Sequence, residues 1–146
     1  MDKQIYWDDV SQGAEIPELV KHPSFATYME YLGACGNTTP FHNNLPFAQQ
    51  QGAPDIVAPG LMMNAYLGQL VANWIGTEGW IKKIGCQYRG MNFPDKQSML
   101  RAVVTRKYQE NGEYLLDLDL SSENEEGFNT TPGYATVSLP SRQPKI

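Results

Sequence analysis

The sequence is short of the residues that mark several large functional classes. Two cysteines in 146 residues are too few for a disulfide framework; Cys35 and Cys86 read as small buried thiols of a reducing compartment. The two histidines, His22 and His42, stand at unrelated positions and, with the separated cysteines, fit no zinc spacing. Basic residues are scarce: 11 Lys and Arg against 16 Asp and Glu give a formal charge of -5. Apart from Lys82-Lys83 they are scattered, the reverse of a nucleic-acid-binding footprint. No glycine-rich phosphate loop and no G-x-S-x-G occurs. The most apolar run, Gly60–Gly76, falls short of the about 20 apolar residues of a membrane span and holds Asn64, Gln69 and Asn73. The first residues, MDKQIYWDDV, lack the apolar stretch of a signal peptide. These absences predict a cytoplasmic chain with no metal, no nucleic acid and no membrane among its partners.

Against them stands an ordinary globular composition. Hydrophobic residues make up 41% and charged residues 18%, enough for one real core. No repeat, low-complexity tract or interior linker divides the chain. One domain is expected over residues 1–140, with 141–146 as a frayed tail.

Residues 14–20 read as a first strand ended by Pro23. Ser24 suits an N-cap for a helix from Phe25 to about Ala34, whose Phe25, Tyr28, Met29 and Leu32 share one face, and Gly33 and Gly36 stop it. The stretch 36–59 carries Pro40, Pro46, Pro54 and Pro59 and reads as irregular, with one short helix at Pro46–Gln51; long prolyl loops of this kind are often functional. Gly60–Gly76 carries no charge and reads as a helix buried nearly all round. Strands follow: Ile84, Cys86 and Tyr88 alternate with Gly85, Gln87 and Arg89; Met99–Tyr108 is rich in β-formers; Asn111-Gly112 signals a two-residue hairpin; Tyr114, Leu116, Leu118 and Leu120 alternate with Asp117 and Asp119; Ala135, Val137 and Leu139 make the last strand. Helix and loop followed by an antiparallel meander is an α+β pattern, a curved sheet folded around one helix.

The run Gly36-Asn37-Thr38-Thr39-Pro40-Phe41-His42, then Ala48, then Pro59-Gly60-Leu61-Met62, resembles the core motif G-D-x-N-P-x-H…A…H-G-M of the MaoC-like hydratases and dehydratases, which have the hotdog fold. Tyr88–Asp95 is similar to the family's strand and P-V-x-x-G-D turn, and Tyr134–Pro140 to its G-x-A-x-V-x-L-P ending. The resemblance spans about residues 25–140. It implies an antiparallel sheet wrapped around a long central helix. It also implies interconversion of trans-2-enoyl and 3-hydroxyacyl thioesters, coenzyme A or acyl carrier protein entering only as part of the substrate and no separate cofactor being needed. His42 is then the acid/base group and the Gly60 N–H the oxyanion donor, with Thr39, Pro59, Met62 and Met63 around the acyl chain.

The departure is at Asn37, where the family has an aspartate; an amide is neither a general base nor a general acid at neutral pH. Thr39 replaces the motif's Asn and Pro59 its second His. The run Trp74-Ile75-Gly76 with Ile81-Lys82-Lys83-Ile84-Gly85 is similar to small MaoC-like subunits of heteromeric steroid side-chain hydratases, in which another subunit carries the working pair. Three readings stay open: a hydratase/dehydratase with Asn37 positioning water or substrate, a non-catalytic pocket-forming subunit, and a hotdog thioesterase or thioester-binding module. The last is disfavoured because Gly60–Gly76 has no carboxylate. A homodimer, or a heterodimer with another MaoC-like chain, is expected. Taken alone, His42 also reads as a loop histidine bonded to a carbonyl, Asn37 as a turn residue, Met62 and Met63 as core, the Glu123–Glu126 run as a solvated turn, and Lys82, Lys83 and Arg89 as surface cations rather than phosphate ligands.

Overall fold

The computed structural model describes residues 4–143. Five antiparallel strands form one sheet: β1 (Leu19–Lys21), β2 (Trp80–Cys86), β3 (Ser98–Glu110), β4 (Glu113–Glu123) and β5 (Gly133–Ser138), in the order β1-β3-β4-β5-β2. Three helices accompany them: α1 (Phe25–Cys35), α2 (Leu45–Gln50) and α3 (Gly60–Ile75). The α+β reading holds, and the meander is β3-β4-β5. β2 precedes the meander in sequence but pairs with its far strand, β5, so α3 and β2 together cross the sheet.

Local sequence sets most of these boundaries. Ser24 caps α1 by accepting the Thr27 N–H at 3.2 Å, and Gly36 ends it at φ 68°, a conformation glycine adopts without a Cβ penalty. Phe25, assigned to the buried face of this helix, is exposed; Tyr28 and Leu32 are the residues it buries. Asn44 caps α2 by accepting the Phe47 N–H. Asn111 (φ 50°) and Gly112 (φ 76°) are both left-handed, as a two-residue turn matching strand twist requires, and they close the long β3–β4 hairpin. On β4 the predicted alternation is seen: Leu116, Leu118 and Leu120 are buried, while Asp117 faces outward to accept hydrogen bonds from Tyr108 Oη and Thr136 Oγ1. Irregularities at Val104/Arg106 and Ile81/Lys83 let the sheet curl.

The concave face of the sheet closes on α3, whose Leu67, Leu70, Val71 and Ile75 meet Leu100, Leu116, Leu118 and Val137. Each such buried aliphatic side chain is worth about 1.5–3 kcal/mol over an exposed one.

Several sequence expectations need correction. The first strand is only Leu19–Lys21; Pro17 has no N–H to give a ladder, so residues 15 and 16 add just an isolated bridge and one bond to β3. The strand expected from Ile84 to Arg89 begins earlier and stops at Cys86. The uncharged helix α3 is not buried all round: Leu61 is 64% exposed, and Ala65, Gln69, Ala72 and Asn73 are exposed. One curled sheet covers one flank of a helix, and lack of charge alone did not reveal the other. The cysteines are not buried as expected, since Cys35 closes an exposed helix end and Cys86 the end of an edge strand. Ser141 and Arg142, read as the start of a loose tail, are held by the Asp8 and Asp9 carboxylates; residues 144–146 of that tail lie outside the described residues. Among the described residues no helix is long and apolar enough to cross a membrane.

Tyr28 is fully buried against Met62 and Met63, and burial pushes its phenol well above the ordinary value. Its hydroxyl has no hydrogen-bond partner among the described residues. A buried unpaired polar group costs about 1–3 kcal/mol. Tyr28→Phe is therefore expected to raise the melting temperature by about 2–4 °C per kcal/mol recovered, measured by thermal denaturation; a loss of stability would show that the hydroxyl has a partner.

Candidate functional site

The site is assembled where three loops meet the start of α3. After Gly36 the chain turns through an Asx motif: Asn37 Oδ1 accepts the Thr39 N–H at 2.9 Å. Pro40–His42 then form a single 3₁₀ turn. From it His42 reaches Val57, with Nδ1 2.8 Å from the Val57 carbonyl oxygen. A carbonyl only accepts, so Nδ1 carries the hydrogen and the neutral ring keeps its lone pair on Nε2.

The neighbouring main chain is bonded on both sides. Val57 N–H donates to Phe41 O at 3.3 Å and Ala58 N–H to Asn92 O at 2.8 Å. Asn92 is buried and its Oδ1 accepts from Thr130 Oγ1 at 3.0 Å. Thr130 O in turn accepts the N–H groups of Arg89 and Gly90. Residues 56–59, all buried, thus lead rigidly into α3. Pro59 occupies its N-cap position and accepts the Met62 N–H at 3.0 Å. Gly60 is the first helical residue, so its N–H has no intrahelical acceptor and adds to the positive helix end.

These parts wall a cavity of about 370 Å³ lined by Phe41, His42, Val57, Gly60, Met63 and Tyr88, with Arg89, Met91 and Thr131 also on its surface. A larger hollow of about 740 Å³ on the outer face of β3 and β4, edged by Glu15, Glu18, Arg101 and Asp119, shares no residue with it. Of the residues singled out from sequence, His42, Gly60 and Met63 line one cavity. Asn37, Thr39, Pro59 and Met62 lie outside that lining: Asn37 and Thr39 bond one another in their turn, Pro59 caps α3, and Met62 packs with Tyr28 and Ile56. Lys82 pairs with Glu113 at 2.7 Å and Lys83 sits over the Tyr134 ring, whereas Arg89, hydrogen-bonded to Gln87, borders the cavity. Glu125 and Glu126 are exposed, as expected for a solvated turn.

Sequence reasoning missed Tyr88, Asn92 and Thr131 as wall residues. Tyr88 and Asn92 lay in the run matched to the family's strand and turn, but nothing local says that this run folds against residues 130 and 131.

No family model and no curated protein matches the sequence. Solved structures do. The ChsH1-ChsH2 complex from Mycobacterium tuberculosis contains a chain that aligns at a TM-score of 0.78 and 21% identity, over 88% of this chain and 98% of that one. An (R)-hydratase from A. caviae involved in PHA biosynthesis aligns at 0.80 and 16%, over 90% and 98%. A MaoC-like dehydratase from Rhodospirillum rubrum aligns at 0.82 and 14%, over 96% and 99%. At these identities the likeness fixes the architecture: the chain is an α+β protein with the hotdog fold. More particularly, its fold is the one found in MaoC-like dehydratases and (R)-hydratases.

Thr130 holds the wall through one hydroxyl shared between Asn92 Oδ1 and Ser122 O, both at 3.0 Å. Thr130→Val takes this donor from the buried Asn92 Oδ1, while Ser122 O keeps the Thr130 N–H at 2.9 Å, and is expected to destabilise the protein by about 1–3 kcal/mol. Thr130→Ser, which keeps the hydroxyl, should lose less. Urea midpoints of the two variants check this; equal losses would mean that the methyl group, not the bond, matters.

Proposed function

We propose that this chain is a MaoC-like acyl-thioester-binding protein of the hydratase/dehydratase type, with His42 as its acid/base group and the Gly60 N–H as its oxyanion donor. One observation supports this above the rest: a histidine with an available Nε2 and an unpaired helix N-terminus wall the same cavity. On a trans-2-enoyl thioester, His42 Nε2 takes a proton from water as its oxygen bonds to the β-carbon. The electrons move to the thioester oxygen, where the Gly60 N–H meets the growing charge; as they return, the α-carbon takes the proton back from His42 Nε2, which completes hydration and restores the neutral ring. The lining of Phe41, Val57, Met63 and Met91 suits an acyl chain. Arg89 at the border suits the phosphates of a coenzyme A carrier, and a cytoplasmic setting accords with that carrier.

A second reading draws support from Asn37. Its side-chain oxygen is engaged by the Thr39 N–H, and the residues lining the cavity include no carboxylate. In this reading another MaoC-like chain supplies the carboxylate and this chain shapes the pocket. The exposed flank of α3 and the open edge of β2, where Trp80 is 69% exposed, offer surfaces on which a hotdog partner could pair.

Hydration of crotonyl-CoA by wild type and His42→Ala tests the first reading. The variant is expected to lose about 10²–10⁴-fold in rate, and activity indifferent to His42 would sink the assignment. Arg89→Ala should raise KM for crotonyl-CoA while leaving KM for crotonyl-pantetheine unchanged. Co-purification with a carboxylate-bearing MaoC-like chain would favour the second reading, and a fully active homodimer would exclude it.

A further inference from the structure

We propose that the Tyr88 hydroxyl is a second hydrogen-bond donor to the substrate's thioester carbonyl oxygen, set beside the Gly60 N–H. The inference rests on the thioester reading above and adds a residue to it.

The geometry at Gly60 is the starting point. A Cβ placed there would lie 3.0 Å from Tyr88 Cζ and 3.1 Å from its Cε1 and Cε2. The Cζ end of the ring therefore lies against the backbone of the first helical residue, so close that a side chain at position 60 would push it back by a few tenths of an ångström. The main chain on either side of Tyr88 is fixed, with Gln87 N–H donating to Pro132 O at 2.9 Å and Arg89 N–H to Thr130 O at 2.8 Å. The ring is thus presented from a clamped segment, and the same cavity is lined by Tyr88, Gly60 and His42.

Tyr88 is 51% exposed, and the Cζ end of its ring is the part that lies nearest Gly60. Burial pushes the phenol up to about 12, with the Cys86 thiol as the neighbouring partner that adds to the shift. The group consequently stays protonated, and a donor, throughout the physiological range. Sulfur is a weak acceptor, so the resting contact is one that a carbonyl oxygen displaces readily. Two donors, one N–H and one O–H, then flank the place where negative charge grows, the arrangement that makes an oxyanion hole effective.

The test uses crotonyl-CoA labelled with ¹³C at the thioester carbonyl, bound to the full chain with whatever partner co-purifies. Isotope-edited infrared difference spectra are recorded for wild type and Tyr88→Phe, which keeps the ring. The expected result is a lowered carbonyl stretch in the wild-type complex and a smaller lowering in Tyr88→Phe. Hydration kcat should fall by about 10²–10³-fold, the usual effect of losing one oxyanion donor, with KM changing far less. A carbonyl frequency and kcat equal to wild type in Tyr88→Phe, with an unchanged melting temperature, would overturn the role of Tyr88 and leave the thioester reading standing. Failure of the wild type itself to bind crotonyl-CoA or any longer acyl-CoA would overturn both.

Discussion

His42, Gly60 and Tyr88 come from three separate stretches of chain, and their spacing is set by the short buried strut of residues 56–59. Its two middle residues are hydrogen-bonded in opposite directions: Val57 holds both the His42 ring and the backbone of Phe41, and Ala58 holds Asn92. The strut also delivers the chain into the first turn of α3. A shift of Val57 would move the imidazole relative to the helix end, and a shift of Asn92 would move the Tyr88–Met91 wall. Buried backbone groups that are bonded on both sides are costly to displace, so this small ladder keeps the cavity in shape with nothing bound. The buried hydroxyl of Thr130 extends the same ladder to Ser122 at the end of β4.

The electrostatics of the site follow from what the strut brings together. The cavity wall holds one imidazole, one guanidinium and the positive end of a helix, and its other lining residues are apolar, amide, hydroxyl or phenol. Such a wall favours negative charge over positive, and His42 is its one side chain with a ring nitrogen left to take up a proton. That is an asymmetric arrangement for a reaction that must deprotonate water and protonate carbon. The amide at Asn37 does not redress it, because its oxygen closes its own loop. Under the proposed reading, hydration of an enoyl thioester would call either on His42 for both steps or on a carboxylate from outside the chain.

Much of the fold was legible because its signals are local. The Ser24 cap, the Gly36 stop, the Asn111-Gly112 turn and the alternation along β4 each depend on neighbours within a few residues, and each appears where expected. The short first strand and the half-exposed α3 were misread because they depend on what lies across the sheet. Pro17 removes a ladder bond that only the partner strand makes visible, and Leu61 faces a side that the single sheet does not reach. The site divides in the same way. His42 and Gly60 could be placed together through an ordered motif. Tyr88, Asn92 and Thr131 join them through contacts between segments about 30 to 45 residues apart, which no spacing rule encodes. Asn37 illustrates the converse: its turn chemistry was readable locally, and the turn is what occupies its side chain.

The sheet order also bears on how the chain reaches this shape. The β3–β4 hairpin pairs residues across a two-residue turn, and β5 follows in the same meander. β2 must instead find β5 across β3 and β4, and β1 must find β3 across α1, α2, α3 and β2. Contacts that close long loops are slow to form and early to open. The cavity wall lies outside the hairpin, in segments tied by the His42–Val57, Ala58–Asn92 and Arg89–Thr130 bonds. The hairpin then outlasts the cavity segments when the fold opens: amides of residues 36–60 and 87–93 should exchange with solvent through openings that leave β3 and β4 protected, while between such openings the hydrogen-bonded strut holds the cavity in shape.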